Sequence, residues 1–290
     1  MRKKHSVFIR ILKIMSIIIL SGIALIALEI YRSSSMLTVN EYALESDKIN
    51  SPISIVVVSD LHDHDFGSAL VEKIKIEQPD LIIMAGDMIN RATEKSEQIL
   101  NIIHELRDVA PIYYGLGNHE RVYVKSHESF YADLEQAGCM VLDKKFVDIS
   151  VKGNDLRIGG LYEYPFGLNE NTAETAPREI AEFMRDYINI KSFKVMISHL
   201  PDSFVLGDSS KVFDIDLVVS GHIHGGQIVI PFKGGIFGGD QGYFPEYVHG
   251  LYKKDKINLL VTSGLGSSPK KLPRFNNPPE IIKLVVKNSN

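Results

Sequence analysis

Five apolar runs in this 290-residue chain end alike, each placing a potential metal ligand at or just past its C-terminal end. "IVVVSDLHDH" ends in Asp60 and His62, "LIIMAGDMIN" in Asp87, "IYYGLGNHE" in Asn118 and His119, "KVMISHLP" in His199, and "DLVVSGHIHGG" in His222 and His224. Any one of these is ordinary, since most histidines are half-exposed or hydrogen-bonded within a core. Their recurrence constrains the fold. The runs have strand length and β-branched composition, and in open α/β sheets sites assemble at the carboxyl ends of strands. Residues scattered over more than 160 positions therefore meet on one edge.

Between the runs lie helix-compatible segments: "ALVEKIKIEQ", the amphipathic "EKSEQILNIIHELRD", "HESFYADLEQAG" and a helix near "PREIAEFMRDYI". Early strands alternate with helices, whereas "DIDLVVSGH", "GQIVI", "INLLVTSG" and "EIIKLVV" cluster late, a mixture that predicts sheets with helices on their outer faces. His222 and His224, two residues apart, would point to one side of an extended chain. His5, His104, His127 and His249 fall in the tail, on helices or in a loop, and are read as solvated or structural; His64 neighbours the cluster. The single cysteine, Cys139 in "AGCMVL", excludes an internal disulfide and reads as a small buried hydrophobe.

The N-terminus opens with Arg2, Lys3, Lys4, Arg10 and Lys13 and then runs without charge from Ile14 to Leu28. With Lys13 snorkelling and the apolar character continuing back through Ile11, this suffices to span a bilayer as an uncleaved anchor. The competing reading is a signal peptide cut near Met36, with Ser33 and Ser35 as the small residues. Either places the basic cluster in the cytoplasm and the rest of the chain outside it. The expected organisation is an anchor over 1–32, a polar linker over 33–50 and a catalytic domain over 51–287 at the extracytoplasmic face of the cell membrane. A net charge of −4 gives no global attraction to nucleic acid, which is not an expected partner.

Asp60, His62, Asp87, Asn118, His199, His222 and His224 exceed the four ligands of a tetrahedral zinc. This oxygen-rich mixture suits two five- or six-coordinate divalent ions of Mn, Fe or Zn. Asp87 can bridge them, and such a pair clamps a phosphoryl group and generates a hydroxide near neutral pH.

The series "DLH", "GDMIN", "GNHE", "SH" and "GHIHGG" resembles the calcineurin-like metallophosphoesterase superfamily, and "GHIHGGQ" with "SGLGSSPKKLPRFNNPPEI" is similar to its membrane-associated bacterial branch. The resemblance runs from about Ile53 to Val286. It implies a four-layer α/β/β/α sandwich of two mixed sheets, with Asp60, His62, Asp87 and His224 on one metal and Asp87, Asn118, His199 and His222 on the other. His119 would face the substrate. Where many relatives have a glycine soon after the first histidine, this chain reads "DLHDHDFG", which alters the loop bordering the substrate.

The expected reaction is in-line attack on phosphorus by a metal-bridging hydroxide, with Asn118 stabilising phosphoryl charge. His119 would protonate the leaving group or, alternatively, orient Asp87 or Asn118. Arg274, with Lys270 and Lys271, would bind the substrate's distal part or form a solvated basic turn. The aromatic, glycine-rich "PFKGGIFGGDQGYFPEY" is either a lipid-facing flap or ordinary loop packing. The substrate would be a phosphodiester or a pyrophosphate, lipid-linked substrates included. A phosphomonoesterase or protein phosphatase and a non-catalytic metal-binding protein are the alternatives.

Overall fold

The computed structural model describes residues 2–162, 165–166, 176–267 and 272–289, with residues 2–7 as helical backbone only. Helix α1 (Arg2–Ser35) leads into two six-stranded sheets. The first is ordered β1 (Thr38–Glu45), β14 (Glu280–Lys287), β2 (Ile53–Val58), β3 (Leu81–Met84), β4 (Ile112–Gly115), β5 (Cys139–Leu142). The second is ordered β12 (Gly250–Lys254), β13 (Ile257–Val261), β9 (Leu217–Ser220), β8 (Phe193–Ser198), β7 (Asn154–Leu161), β6 (Lys145–Val151). A two-residue hairpin, β10 (Val229–Ile230) with β11 (Gly234–Gly235), lies outside them.

The continuous apolar runs follow from burial on both faces. In β2, Ile53, Ile55 and Val57 face the second sheet, where they meet Val195, Ile197, Leu217 and Val219. Val56 and Val58 face outward, onto α2 (Ala69–Ile76), α3 (Glu97–Leu106) and α5 (Phe130–Ala137). Helix α3 contributes Ile99, Ile103 and Leu106, a stripe at i, i+4 and i+7, each worth about 1.5–3 kcal/mol on burial. On the other side α6 (Arg178–Ile188) lays Ile180, Phe183, Met184 and Tyr187 over Met196 and Val218. The result is the four-layer α/β/β/α sandwich.

Residues 33–50 are not a linker. Helix α1 continues to Ser35, and Thr38–Glu45 forms β1, an edge strand parallel to β14 from Thr38↔Glu280 to Glu45↔Lys287. Its polar, half-exposed residues carry little pattern, and its partner lies at the far end of the chain. No local signal announces it. Cys139 is buried at the start of β5, where burial raises its thiol to about 12.

Strands β2, β3 and β4 are mutually parallel, as are β8 and β9. Their carboxyl ends therefore open on one edge of the sandwich.

Candidate metal centre

Asp60 and His62 follow β2, Asp87 follows β3, and Asn118 and His119 open the short helix α4 (Asn118–Tyr123) after β4. His199 follows β8, while His222 and His224 follow β9. Their ligand atoms converge in three groups, each within 4.8 Å: Asp60 with His62 and His224, Asp87 with His199 and His222, and His62 with Asp87 and His119. His222 and His224 thus fall in different groups. The extended geometry expected for them is not what does this: both have positive φ, 68° and 51°, and a turn of 3-10 helix begins at His224.

Asp60, His62 and Asp87 also adopt positive φ, 53°, 51° and 52°. Left-handed backbone at non-glycine residues is strained and persists where surroundings over-determine it. Those surroundings include two close approaches: a Cβ on Gly117 would lie 2.2 Å from Asp87 Oδ1, and one on Gly221 would lie 2.4 Å from Asp60 Oδ2. The glycines before Asn118 and His222 are needed for that space.

The hydrogen bonds of the imidazoles decide their tautomers. His62 Nδ1 lies 3.1 Å from Asn90 Oδ1, whose amide nitrogen is engaged with His62 O and Asp63. His199 Nδ1 lies 2.7 Å from Ala85 O, and His224 Nδ1 lies 3.2 Å from Gly266 O. Each therefore donates Nδ1–H outward and leaves Nε2 on the inward side as the ligand atom, as metal-ligating histidines do. His62 Nε2 and His224 Nε2 then face each other at 3.3 Å. Two lone pairs at that separation repel unless a cation lies between their reach and Asp60, whose Oδ1 is 3.7 and 3.5 Å away.

Charge points the same way. Burial alone would raise the Asp60 and Asp87 carboxyls, but the imidazoles of His224, His199 and His62 around Asp60, and of His199 and His62 around Asp87, hold both below the usual carboxylate range. Burial would lower His199, but Asp87 and Asp60 raise it to about 10, so the metal-free ring holds a proton on Nε2 as well, which a bound cation would displace. Its Nε2 is 3.2 Å from Asp87 Oδ2 yet has no hydrogen-bond geometry, and the buried Asn118 Oδ1 likewise lacks a partner. Ionised buried carboxylates ringed by imidazoles fit divalent cations, which would take the place of the imidazole protons.

His119 is the reverse case. Its Nδ1 accepts from Arg91 N–H at 3.0 Å, so the neutral ring carries its proton on Nε2, 3.9 Å from Asp87 Oδ2. Arg91 Nη2, 3.4 Å from that nitrogen, is then a neighbour and not its donor. Burial pushes the imidazole down to about 4 against the pull of Asp87. In this state the ring offers an N–H toward Asp87.

Arg274 is also a correction. Its side chain is buried, with Nε donating to Asn277 O at 2.8 Å, Nη1 to Gly266 O at 2.9 Å and Nη2 to Ser263 O at 2.9 Å. Those bonds tie a structural strap and bury the guanidinium against backbone carbonyls. Lys270 and Lys271 lie outside the described residues. His64 packs against Phe66 and belongs to none of the three groups.

Two supports were not anticipated. Glu120, fully buried, accepts from Asp87 N (2.9 Å), Gly117 N (2.9 Å), Met88 N (2.7 Å) and the Tyr114 hydroxyl (2.8 Å). The spacing Gly117-x-x-Glu120, an N-cap followed by a glutamate at N3, was a signal for it. Asn277 donates to His224 O at 2.7 Å, and nothing in its own segment announced that contact.

The model of the calcineurin-like phosphoesterases matches residues 53–226, more than half of the chain and all five strand ends. This protein belongs to that family. The phosphoesterase is 28% identical over 98% of its length to an uncharacterized metallophosphoesterase of Campylobacter jejuni, covering 72% of that relative. It is 25% identical over 90% of its length to the uncharacterized metallophosphoesterase YkuE of Bacillus subtilis, covering 89% of it. Among solved structures, the phosphopantetheinyl hydrolase of Mycobacterium tuberculosis is similar over 79% of this chain and 95% of its own, with 14% identity and a TM-score of 0.48. The membership makes the chain a metal-dependent phosphoester hydrolase. Residues Phe8–Ser35 form one helix long and apolar enough to cross a membrane.

Proposed function

We propose that the protein is a membrane-tethered phosphodiesterase or pyrophosphatase that uses two divalent cations. Asp60, His62, Asp87 and His224 would hold one, and Asp87, Asn118, His199 and His222 the other. The observation that supports two cations is the division of the ligand atoms into one group around Asp60, with His62 and His224, and a second around Asp87, with His199 and His222, each within 4.8 Å. When bound, such ions neutralise phosphoryl oxygens and bring the ionisation of water toward neutral pH.

The chain's own residues supply the rest. His119 presents its Nε2–H to a phosphoryl or leaving oxygen, held in that tautomer by Arg91 N–H. The diester preference is supported by the cleft beside His222 and His224, about 440 Å³, lined by Ile223, Ile236, Phe237, Tyr243 and Leu272 and, among the described residues, by no lysine or arginine. Such a wall suits an apolar esterified group. The exposed guanidinium of Arg91 beside His119 favours the alternative, a monoester dianion. The span over 8–35, preceded by Arg2, Lys3 and Lys4, supports an extracytoplasmic catalytic domain.

The test is hydrolysis of bis-p-nitrophenyl phosphate against p-nitrophenyl phosphate by the full chain in detergent, metal-stripped and resupplied with Mn²⁺ or Zn²⁺. Metal-dependent diester cleavage that disappears in Asp87→Ala is expected. A strong monoester preference would overturn the reading in favour of the alternative.

A further inference from the structure

The catalytic cleft opens through an apolar rim. Phe232 is 108% exposed, Tyr243 75% and Leu272 68%, with Phe237 and Phe244 at 50% each. Phe237 and Tyr243 pack edge to face at 5.6 Å and line the cleft that also contains His222 and His224. Large side chains clustered in this way at the mouth of a site mark a binding surface, unlike scattered exposed residues.

What covers the rim follows from how it is hung. Helix α1 loses its uncharged character at Leu28, and the next residue, Glu29, accepts from Asn276 N at 3.1 Å. One turn on, the fully buried Ser33 accepts from Asn277 N at 3.1 Å. The strap around residues 274–278 thus grips the helix at the point where it leaves the apolar phase. From that strap Phe275 O accepts from Val229 N at 3.0 Å, and Asn276 donates to Val229 O at 3.2 Å. Ile236 N donates to Ile228 O and Phe244 N to Ile236 O, both at 2.9 Å. An unbroken series of hydrogen bonds therefore connects the anchor's exit to the aromatic loop. Residues 8–35 extend about 42 Å as helix against a hydrocarbon core of about 30 Å, enough to seat Glu29 at the boundary.

We infer that this rim docks on the lipid surface from which α1 emerges. Phe232, Tyr243, Phe244 and Leu272 enter the interfacial region, and the metal cleft opens at headgroup depth. Aromatic side chains favour that layer, and Lys233, 5.8 Å from the Phe244 ring, adds a cation suited to anionic headgroups. The substrate class is then an amphiphile whose phosphoester lies at the bilayer surface and whose apolar part remains in the membrane. This deepens the phosphodiesterase reading and rests on it, as it does on the membrane span.

The chain contains no tryptophan, so Phe232→Trp in the full chain gives a background-free probe in lipid nanodiscs. Its emission should shift to the blue and be quenched by bromine-labelled lipid tails, while Met140→Trp, on the opposite edge strand β5, stays water-like and unquenched. Water-like, unquenched emission from Phe232→Trp would overturn the docking. The double variant Phe232→Ser/Phe244→Ser lies outside the cleft lining. It should cleave soluble bis-p-nitrophenyl phosphate at the wild-type rate but lose about tenfold in kcat/KM on a fluorogenic phosphodiester with a lipid tail in the discs. Equal losses on both substrates would also overturn it. A wild-type chain inactive on both diesters would instead defeat the phosphodiesterase reading, and the quenching result would still decide the docking.

Discussion

Substituting Glu120 tests whether the centre is held by buried hydrogen bonds or only by its ligands. Oε2 accepts from Asp87 N and Gly117 N, both at 2.9 Å, and Oε1 from Met88 N at 2.7 Å and the Tyr114 hydroxyl at 2.8 Å. Glu120→Gln replaces one acceptor by an NH₂ donor. Placed at Oε2, it would confront two N–H groups. At Oε1 it would confront the Met88 N–H and a hydroxyl that can rotate to accept. The least costly arrangement leaves one buried N–H without a partner, about 1–3 kcal/mol. For a domain of this size the melting temperature of the metal-stripped chain should fall by roughly 2–12 °C. Glu120 also fixes the backbone on which the Asp87 carboxylate sits, so Mn²⁺ affinity should drop by about 10–100-fold. The assays are thermal and urea unfolding in detergent without metal, which keeps ligand linkage out of the stability term, and calorimetric titration with Mn²⁺. Wild-type unfolding together with wild-type affinity would refute the reasoning.

Two further outcomes are expected. Arg274→Ala strands the carbonyls of Ser263 and Asn277, while Gly266 O keeps its His224 donor, and should cost at least about 2 kcal/mol in urea unfolding; a raised KM with unchanged stability would restore its substrate role. Asp202 is fully buried, and that burial, with the nearby Asp240, raises its carboxyl to about 6. A raised carboxyl leaves the fold most favoured at pH values below its unfolded pKa, and that advantage is lost as pH rises through about 6. Asp202→Asn should therefore gain stability relative to the wild type between pH 4 and pH 7, by about 2–3 kcal/mol in urea unfolding; a pH-independent difference would refute the assignment.

The strands and helices of the sandwich were legible because alternation and apolar runs are local. In β2, successive residues from Ile53 to Val58 serve two cores in turn, and the sequence states this directly. The ligand types were legible for the same reason, since each sits one to four residues beyond a strand that could be recognised. Strand β1 was not, because an edge strand paired with residues about 240 positions away needs only one buried face and shows little pattern.

The sequence by itself determined which side chains arrive at the edge of the sandwich. Tertiary structure alone decided what each does there. His62, His199 and His224 turn Nε2 inward because Asn90, Ala85 and Gly266 accept their Nδ1 protons, while Arg91 N–H gives His119 the opposite tautomer. Arg274, read from sequence as a cation for substrate, is consumed by carbonyls brought to it by folding. Residue type is written at a position, but protonation, orientation and access depend on neighbours distant in the chain, and those exist only once the two sheets have closed on each other.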